Sequence, residues 1–144
     1  MMGDLSMNLA KMVKVFDQSH DGVIVNFEKE TNDLNIDVRI KYLAKHINET
    51  YDLLRYKIIS FKHFEFSADA KNVCFDISEI KKMELAIIDA EIGFNHSLLV
   101  NVHNKIITKG KLYIWANYEN DIKIYDQSNK EIEYDKFIDI CRRK

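Results

Sequence analysis

Five histidines, two cysteines and a scatter of carboxylates are the residues here that could carry chemistry. His20-Asp21 comes first, because an HD dipeptide ligates metal in metal phosphohydrolases, where both residues sit on helices. Here it stands just before a strand pattern, and no second histidine follows at ligand spacing. Asp21-Gly22 is instead a turn signal, and the His20 ring can hydrogen-bond across the turn, so His20 and Asp21 are read as turn residues. His96 and His103 are seven apart, which puts them on opposite faces of a regular strand. His46 and His63 have no Cys or carboxylate cluster at zinc spacing. No metal site and no cofactor are expected. There is no G-x-S-x-G elbow and no glycine-rich phosphate loop. Cys74 and Cys141 each lie among apolar residues, which reads as buried free thiols. Asp89 and Glu91 share a strand face and have the types for an acid–base pair, although strand carboxylates mostly face water. No catalytic residue is assigned, and the chain is expected not to be an enzyme.

The whole chain sets the frame. It has 144 residues, 47% hydrophobic and 31% charged, which is a globular composition of one-domain size. The 8 Phe, 7 Tyr and 1 Trp imply an aromatic-rich core. Basic and acidic residues number 21 and 23, for a net charge of −2. A nucleic-acid surface needs a basic stripe, and the only dense cluster is Arg142-Arg143-Lys144, which reads as a solvated tail or as favourable charge near a helix C-terminus. No apolar run is long enough to cross a membrane, and no signal peptide precedes the first helix. A cytoplasmic location is the expectation, so Asn48-Glu49-Thr50 carries no glycan meaning. Proline is absent and glycines number 4, so residues 1–144 read as a single domain without linkers.

Periodicity supplies the elements. Residues 5–16 predict an amphipathic helix with Leu5, Leu9, Met12, Val13 and Phe16 on one stripe, capped by Asp4 or Ser6. Val23, Val25 and Phe27 then alternate with Ile24, Asn26 and Glu28, and Lys29 to Asp33 reads as a hairpin loop. The clearest strand is 34–42: Leu34, Ile36, Val38, Ile40 and Tyr42 face one way, and Asn35, Asp37, Arg39 and Lys41 the other. One wet face and one buried face is antiparallel behaviour. Residues 53–66 predict a strand that bends near Ser60, and Val73, Phe75 and Ile77 another, with a helical turn or loop over 78–83. Residues 84–94 fit both periods. Ala86, Ile88, Ala90, Ile92 and Phe94 share a strand face, while Met83, Ile87, Ala90 and Phe94 make a helical stripe; strand neighbours and abundant Ile favour strand. Leu98 to Val102 continues the sheet, Lys109-Gly110-Lys111 reads as a turn, and 112–118 with 122–125 as a hairpin around Glu119-Asn120-Asp121. Tyr134, Phe137, Ile138 and Cys141 close the chain at helical spacing. The sum is an α+β fold, mainly antiparallel β: a curved or sandwich-like sheet of seven or eight strands with one helix at each terminus.

Surface residues remain. Tyr113 and Trp115 share a parity opposite to Leu112, Ile114 and Ala116. They form either an outer aromatic patch beside carboxylates, suited to binding protein, or rings packed under an end helix. The expected protein-binding residues are Asp37, Arg39, Lys41, Asp89, Glu91, Tyr113 and Trp115.

The segment His20-Asp21-Gly22-Val23-Ile24-Val25-Asn26-Phe27, the strand from Leu34 to Tyr42, and Phe61-Lys62-His63-Phe64-Glu65-Phe66 resemble a group of small bacterial proteins. In these, an HD-x-x-Ile/Val pattern leads into a β-hairpin and a later strand is rich in phenylalanine. Several such groups look like immunity proteins of polymorphic toxin systems; others are domains of unknown function. The high Ile, Lys and Asn content suits an AT-rich bacterial genome. The resemblance implies a cytoplasmic, non-enzymatic protein that binds and blocks a cognate toxin, with neither nucleic acid nor membrane as partner. The alternative is a small-ligand or enzymatic domain using the concave face of the sheet. Oligomeric state is left open.

Overall fold

The computed structural model describes residues 2–74 and 76–143, with backbone alone at 2–7, 72–74 and 118–120. Alternation decides the first sheet elements. β2 (Asp33–Arg39) turns Leu34, Ile36 and Val38 fully inward. β1 (Val23–Glu30) pairs with it antiparallel around Thr31-Asn32, with Thr31 at φ 56°. A bulge between Ile24 and Asn26 shifts the phase of β1. Ile24 and Phe27 are therefore the buried pair, not the Val23-Val25-Phe27 face that strict alternation predicts. The predicted strand 34–42 stops at Arg39. Ile40 leads into the single turn α2 (Lys41–Ala44), where the Tyr42 hydroxyl donates to the carbonyl of His20. Lys41 is thus on a helix and off the sheet face.

Two long strands, β3 (Leu53–Ala68) and β7 (Gly110–Tyr125), pair from Arg55 opposite Tyr125 to Ala68 opposite Gly110. Both bend midway. Ser60 takes φ 58°, and the β1–β2 hairpin tip holds it: Ser60 N donates to Asp33 Oδ1 at 3.1 Å and Phe61 N to the carbonyl of Asn32 at 2.8 Å. On β7 the register jumps from Asp121 opposite Ile59 to Ala116 opposite Phe61, so residues 117–120 form a bulge opposite Ser60. The predicted hairpin around 119–121 is therefore a bulge inside one strand. Turn-favouring residues there relax the pairing without reversing the chain. The side chains of 118–120 lie outside the described residues.

The remaining elements are β4 (Lys71–Cys74), α3 (Ile77–Lys82), β5 (Ala86–Ile92), β6 (Leu98–His103), β8 (Glu131–Ile132) and α4 (Tyr134–Cys141). The predicted strand 73–77 ends at Cys74, because Asp76 caps α3 by accepting from Ser78 N at 3.0 Å. Phe75 and the burial of Cys74 lie outside the described residues, whereas Cys141 is buried. Residues 86–92 are strand, but a bulge between Ile87 and Asp89 inverts the expected face. Ile87 and Ala90 are buried, while Ile88, Ile92 and Phe94 are exposed. Gly110 is no turn residue: it opens β7 opposite Val102, whose Cγ2 would lie 2.8 Å from an added Cβ.

The strand order is β4-β3-β2-β1-β5-β6-β7-β8, all antiparallel. The further β3–β7 pairing closes a circuit through β3, β2, β1, β5, β6 and β7. Its narrow seam is β1–β5, where Val23 faces Ala86 and Ile24 N donates to the carbonyl of Leu85. At this seam Gly22 lies so close to the core that an added Cβ would be 2.6 Å from Val38 Cγ1. α1 (Met2–Gln18) packs on β5, β6 and β7 and buries Leu9, Met12, Val15 and Phe16. Asp4 and Ser6 fall within its backbone span and so cannot cap it. α4 buries Phe137, Ile140 and Cys141. The fold is thus α+β: eight antiparallel strands and four helices among the described residues, one helix near each terminus.

Tyr56 ties α1 and α4 to the sheet. It is fully buried, edge-on to Phe16 at 5.2 Å and to Phe137 at 6.0 Å. Burial raises its phenol far above the ordinary pKa. Ser19 Oγ donates to the carbonyl of Val15 at 2.7 Å, so in the 2.6 Å contact between Ser19 and Tyr56 the phenol is the donor. Ser19→Ala strands a buried O–H and is expected to destabilise by about 1–3 kcal/mol, whereas Tyr56→Phe, which leaves only an unfilled acceptor, costs about 1 kcal/mol. Urea unfolding of both variants and their double mutant checks this, with the double mutant expected to cost less than the sum.

Asp126 fixes the turn into β8. Its Oδ1 accepts from Ser128 N, Ser128 Oγ and Lys130 N at 2.8–2.9 Å. Burial pushes this carboxyl up, but the three donors outweigh burial and hold its pKa below the ordinary value. The charged form is therefore favoured by folding. The stability advantage of wild type over Asp126→Asn is expected in full above about pH 4 and to fade as pH falls through the lowered folded value. Denaturation midpoints measured across that range read it.

Candidate functional site

The outer surface of β5, β6, β7 and β3 carries a cluster that the core does not explain. Inward residues of these strands, among them Val100, Leu112 and Ile114, belong to the core. Leu99 and Trp115 are also buried, at 5% and 9% exposure, yet they point outward and lie outside that core. They are covered by the chain itself. Gly93 and residues 94–96 fold back over the outer face, with Asn95 at φ 53° and His96 at φ 57°. Gly93 permits this because an added Cβ would lie 2.4 Å from Ser97 Oγ and 3.1 Å from a Tyr113 ring carbon. The Trp115 indole N–H donates to the carbonyl of Asn95 at 3.2 Å.

Four rings meet there. His63 stacks on Trp115 at 4.4 Å and 8°, and Tyr113 stacks on Trp115 at 6.0 Å and 23°. Phe94 stands edge-on to both Tyr113, at 4.8 Å, and Trp115, at 5.2 Å. These are attractive ring geometries. Phe94 remains 51% exposed. Two left-handed non-glycine residues in succession cost of order 1–3 kcal/mol each, a strain of the kind that gathers at ligand clamps.

Carboxylates rim the rings. Cross-strand pairing sets Glu91, Leu99, Tyr113 and Glu65 in one row over β5, β6, β7 and β3. In the next row Asn101 Nδ2 donates to Asp89 Oδ1 at 2.6 Å and to Glu91 Oε2 at 3.0 Å, while Lys111 Nζ donates to Asn101 Oδ1 at 3.2 Å. Asp89 and Glu91 are therefore joined through a carboxamide, not through a shared proton. Tyr113, Trp115, Asp89 and Glu91 come together on this face, and the rings lie under a turn and not under an end helix. Phe94 and His63 complete the cluster and were missed by sequence reasoning. Gly93 before Phe94-Asn95-His96 was the available signal, since Asn tolerates the left-handed region.

The other predicted binding residues lie elsewhere. Asp37 is engaged by Arg55, with Nε to Oδ1 at 2.7 Å and Nη2 to Oδ2 at 3.1 Å. That contact and desolvation set the Arg55 guanidinium, whose pKa is raised chiefly by the Asp37 hydrogen bond. Asp37 is thus 8% exposed and not solvated. Arg39 is exposed at the end of β2 and Lys41 on α2. His20 and Asp21 hold the turn into β1: Asp21 takes φ 69°, His20 Nδ1 lies 3.5 Å from Asp21 Oδ2, and burial pushes the neighbouring Tyr42 phenol up to about 12. Among the described residues no group of His, Cys, Asp and Glu could hold a metal, and no helix is long and apolar enough to cross a membrane.

No family model, curated protein or solved structure matches this chain.

Because the ring cluster is separate from the core, Phe94→Ala is expected to uncover Trp115, the only tryptophan, and shift its fluorescence to the red. Stability is expected to fall by only about 1 kcal/mol, since half of the Phe94 ring is already in water. An unshifted spectrum would show that Phe94 does not shield the indole.

Proposed function

We propose that this chain is a protein-binding module acting in the cytoplasm, of the immunity type that occupies and blocks a cognate toxin. The observation that carries the reading is the outer ring cluster of His63, Phe94, Tyr113 and Trp115, with Phe94 exposed against Tyr113, whose cross-strand row also carries Glu91 and Glu65. Aromatic side chains with a polar rim are the composition of binding hot spots. Carboxylates about an aromatic centre suit a basic partner, whose arginines can stack on the rings and pair with the rim. Complementary charge also speeds association with a cationic nuclease. The sequence resemblance to immunity proteins supports the same reading.

The test is co-purification with a toxin-like protein encoded beside this gene. Binding is expected, with Phe94→Ala and Glu91→Lys each weakening it by about tenfold or more, the scale of a lost hot-spot contact. A neighbouring toxin that fails to bind, or a gene neighbourhood without one, overturns the immunity reading. Full affinity in both variants would move the binding surface off this face.

A further inference from the structure

The outer face of the other half of the sheet holds a polar groove of about 420 Å³. Its floor and walls are Glu28 and Glu30 of β1, Asn35 of β2, Arg55 and Lys57 of β3, and Tyr125 of β7. The floor is unusual for an outward face, because Asn35 is only 8% exposed. Asn35 Nδ2 donates to Glu30 Oε2 at 2.9 Å, which fixes the amide and turns Oδ1 into a buried acceptor with no donor. Pairing places Asn35 between Glu28 on one strand and Lys57 on the other. The two walls thus differ in charge.

The cationic wall is pre-organised. Asp37 grips Arg55 through two bonds and Asn129 Oδ1 accepts from Nη1, which leaves one further N–H on each terminal nitrogen. Lys57 Nζ rests 5.7 Å from the centre of the Tyr125 ring. The acidic wall has Glu28, fully outward, and Glu30. Glu28 and Lys57 stand two strand spacings apart, about 10 Å between backbones.

We infer that the groove binds a free amino acid, with its ammonium on Glu28 and Glu30 and its carboxylate on Lys57 and Arg55. The site lies on a different face from the ring cluster and does not depend on it. A ligand of one sign would meet like charge on one wall, whereas a zwitterion meets opposite charge on both.

The experiment is thermal shift and calorimetric titration of the full chain with each standard amino acid at millimolar concentration. At least one is expected to bind and raise the melting temperature. Its N-acetyl and its amide forms are expected to bind about tenfold more weakly or worse, since each removes a charge-assisted contact. Glu28→Gln and Lys57→Met, both changes at surface side chains, are expected to weaken binding similarly while leaving the ligand-free melting temperature unchanged. Failure of every amino acid to bind overturns the inference. So does equal binding of the blocked forms, or undiminished affinity in both variants.

Discussion

The bend that β3 and β7 share is the constraint on which the rest depends. A straight pair of such length would run past the core and leave one end without a partner. Ser60 in the left-handed region and the 117–120 bulge opposite it let both strands turn together. The first half of β3 then pairs with β2 and its end with β4, while the first half of β7 pairs with β6 and its end with β8. The circuit closes because of that division, leaving β4 and β8 at the ends of the strand order. The strain at Ser60 is held by the β1–β2 hairpin tip, whose Asp33 carboxylate and Asn32 carbonyl take the two amide protons at the bend. Local conformational cost is thus offset by contacts distant in sequence, as backbone strain requires.

The same bend divides the outer surface. On one side lie β5, β6, the start of β7 and the end of β3, bearing rings. On the other lie β1, β2, the start of β3 and the end of β7, bearing charge. Each strand of the β3–β7 pair contributes to both: His63 and Trp115 to the rings, Lys57 and Tyr125 to the groove. Two chemically different surfaces therefore share one rigid frame.

Legibility followed from phase. Strand β2 keeps a two-residue period, so its inward Leu34, Ile36 and Val38 could be read from the residues alone. One inserted residue inverts every later side chain, and the bulges near Val25 and Ile88 did so, placing Ile24, Ile87 and Ala90 inside against a strict alternation. No local residue type announces such a slip. The tail of the β2 pattern was lost to tertiary contact, since the hydroxyl of Tyr42 reaches back to the His20 carbonyl from a helical turn. Of the ring site, Tyr113, Trp115, Asp89 and Glu91 were legible through parity. His63 and Phe94 were not, because their place depends on a register between strands far apart in the chain. The groove was less legible still: Asn35 and Asp37 read as wet, and only the rows across β1, β2 and β3 show what covers them.

The turn over Trp115 bears on the binding role proposed for the ring cluster. Covering an outward tryptophan stabilises the fold by the area removed from water, and its indole N–H gains a carbonyl. Against this stand two left-handed residues and a glycine where an added Cβ would lie 2.4 Å from Ser97 Oγ. Phe94 packs edge-on against Tyr113 and Trp115 and so helps cover the indole, but half of its ring stays in solvent. Its exposed half stabilises nothing in the free chain. Only a partner that removes it from water recovers that energy, at about 25 cal/mol per Å² of apolar surface.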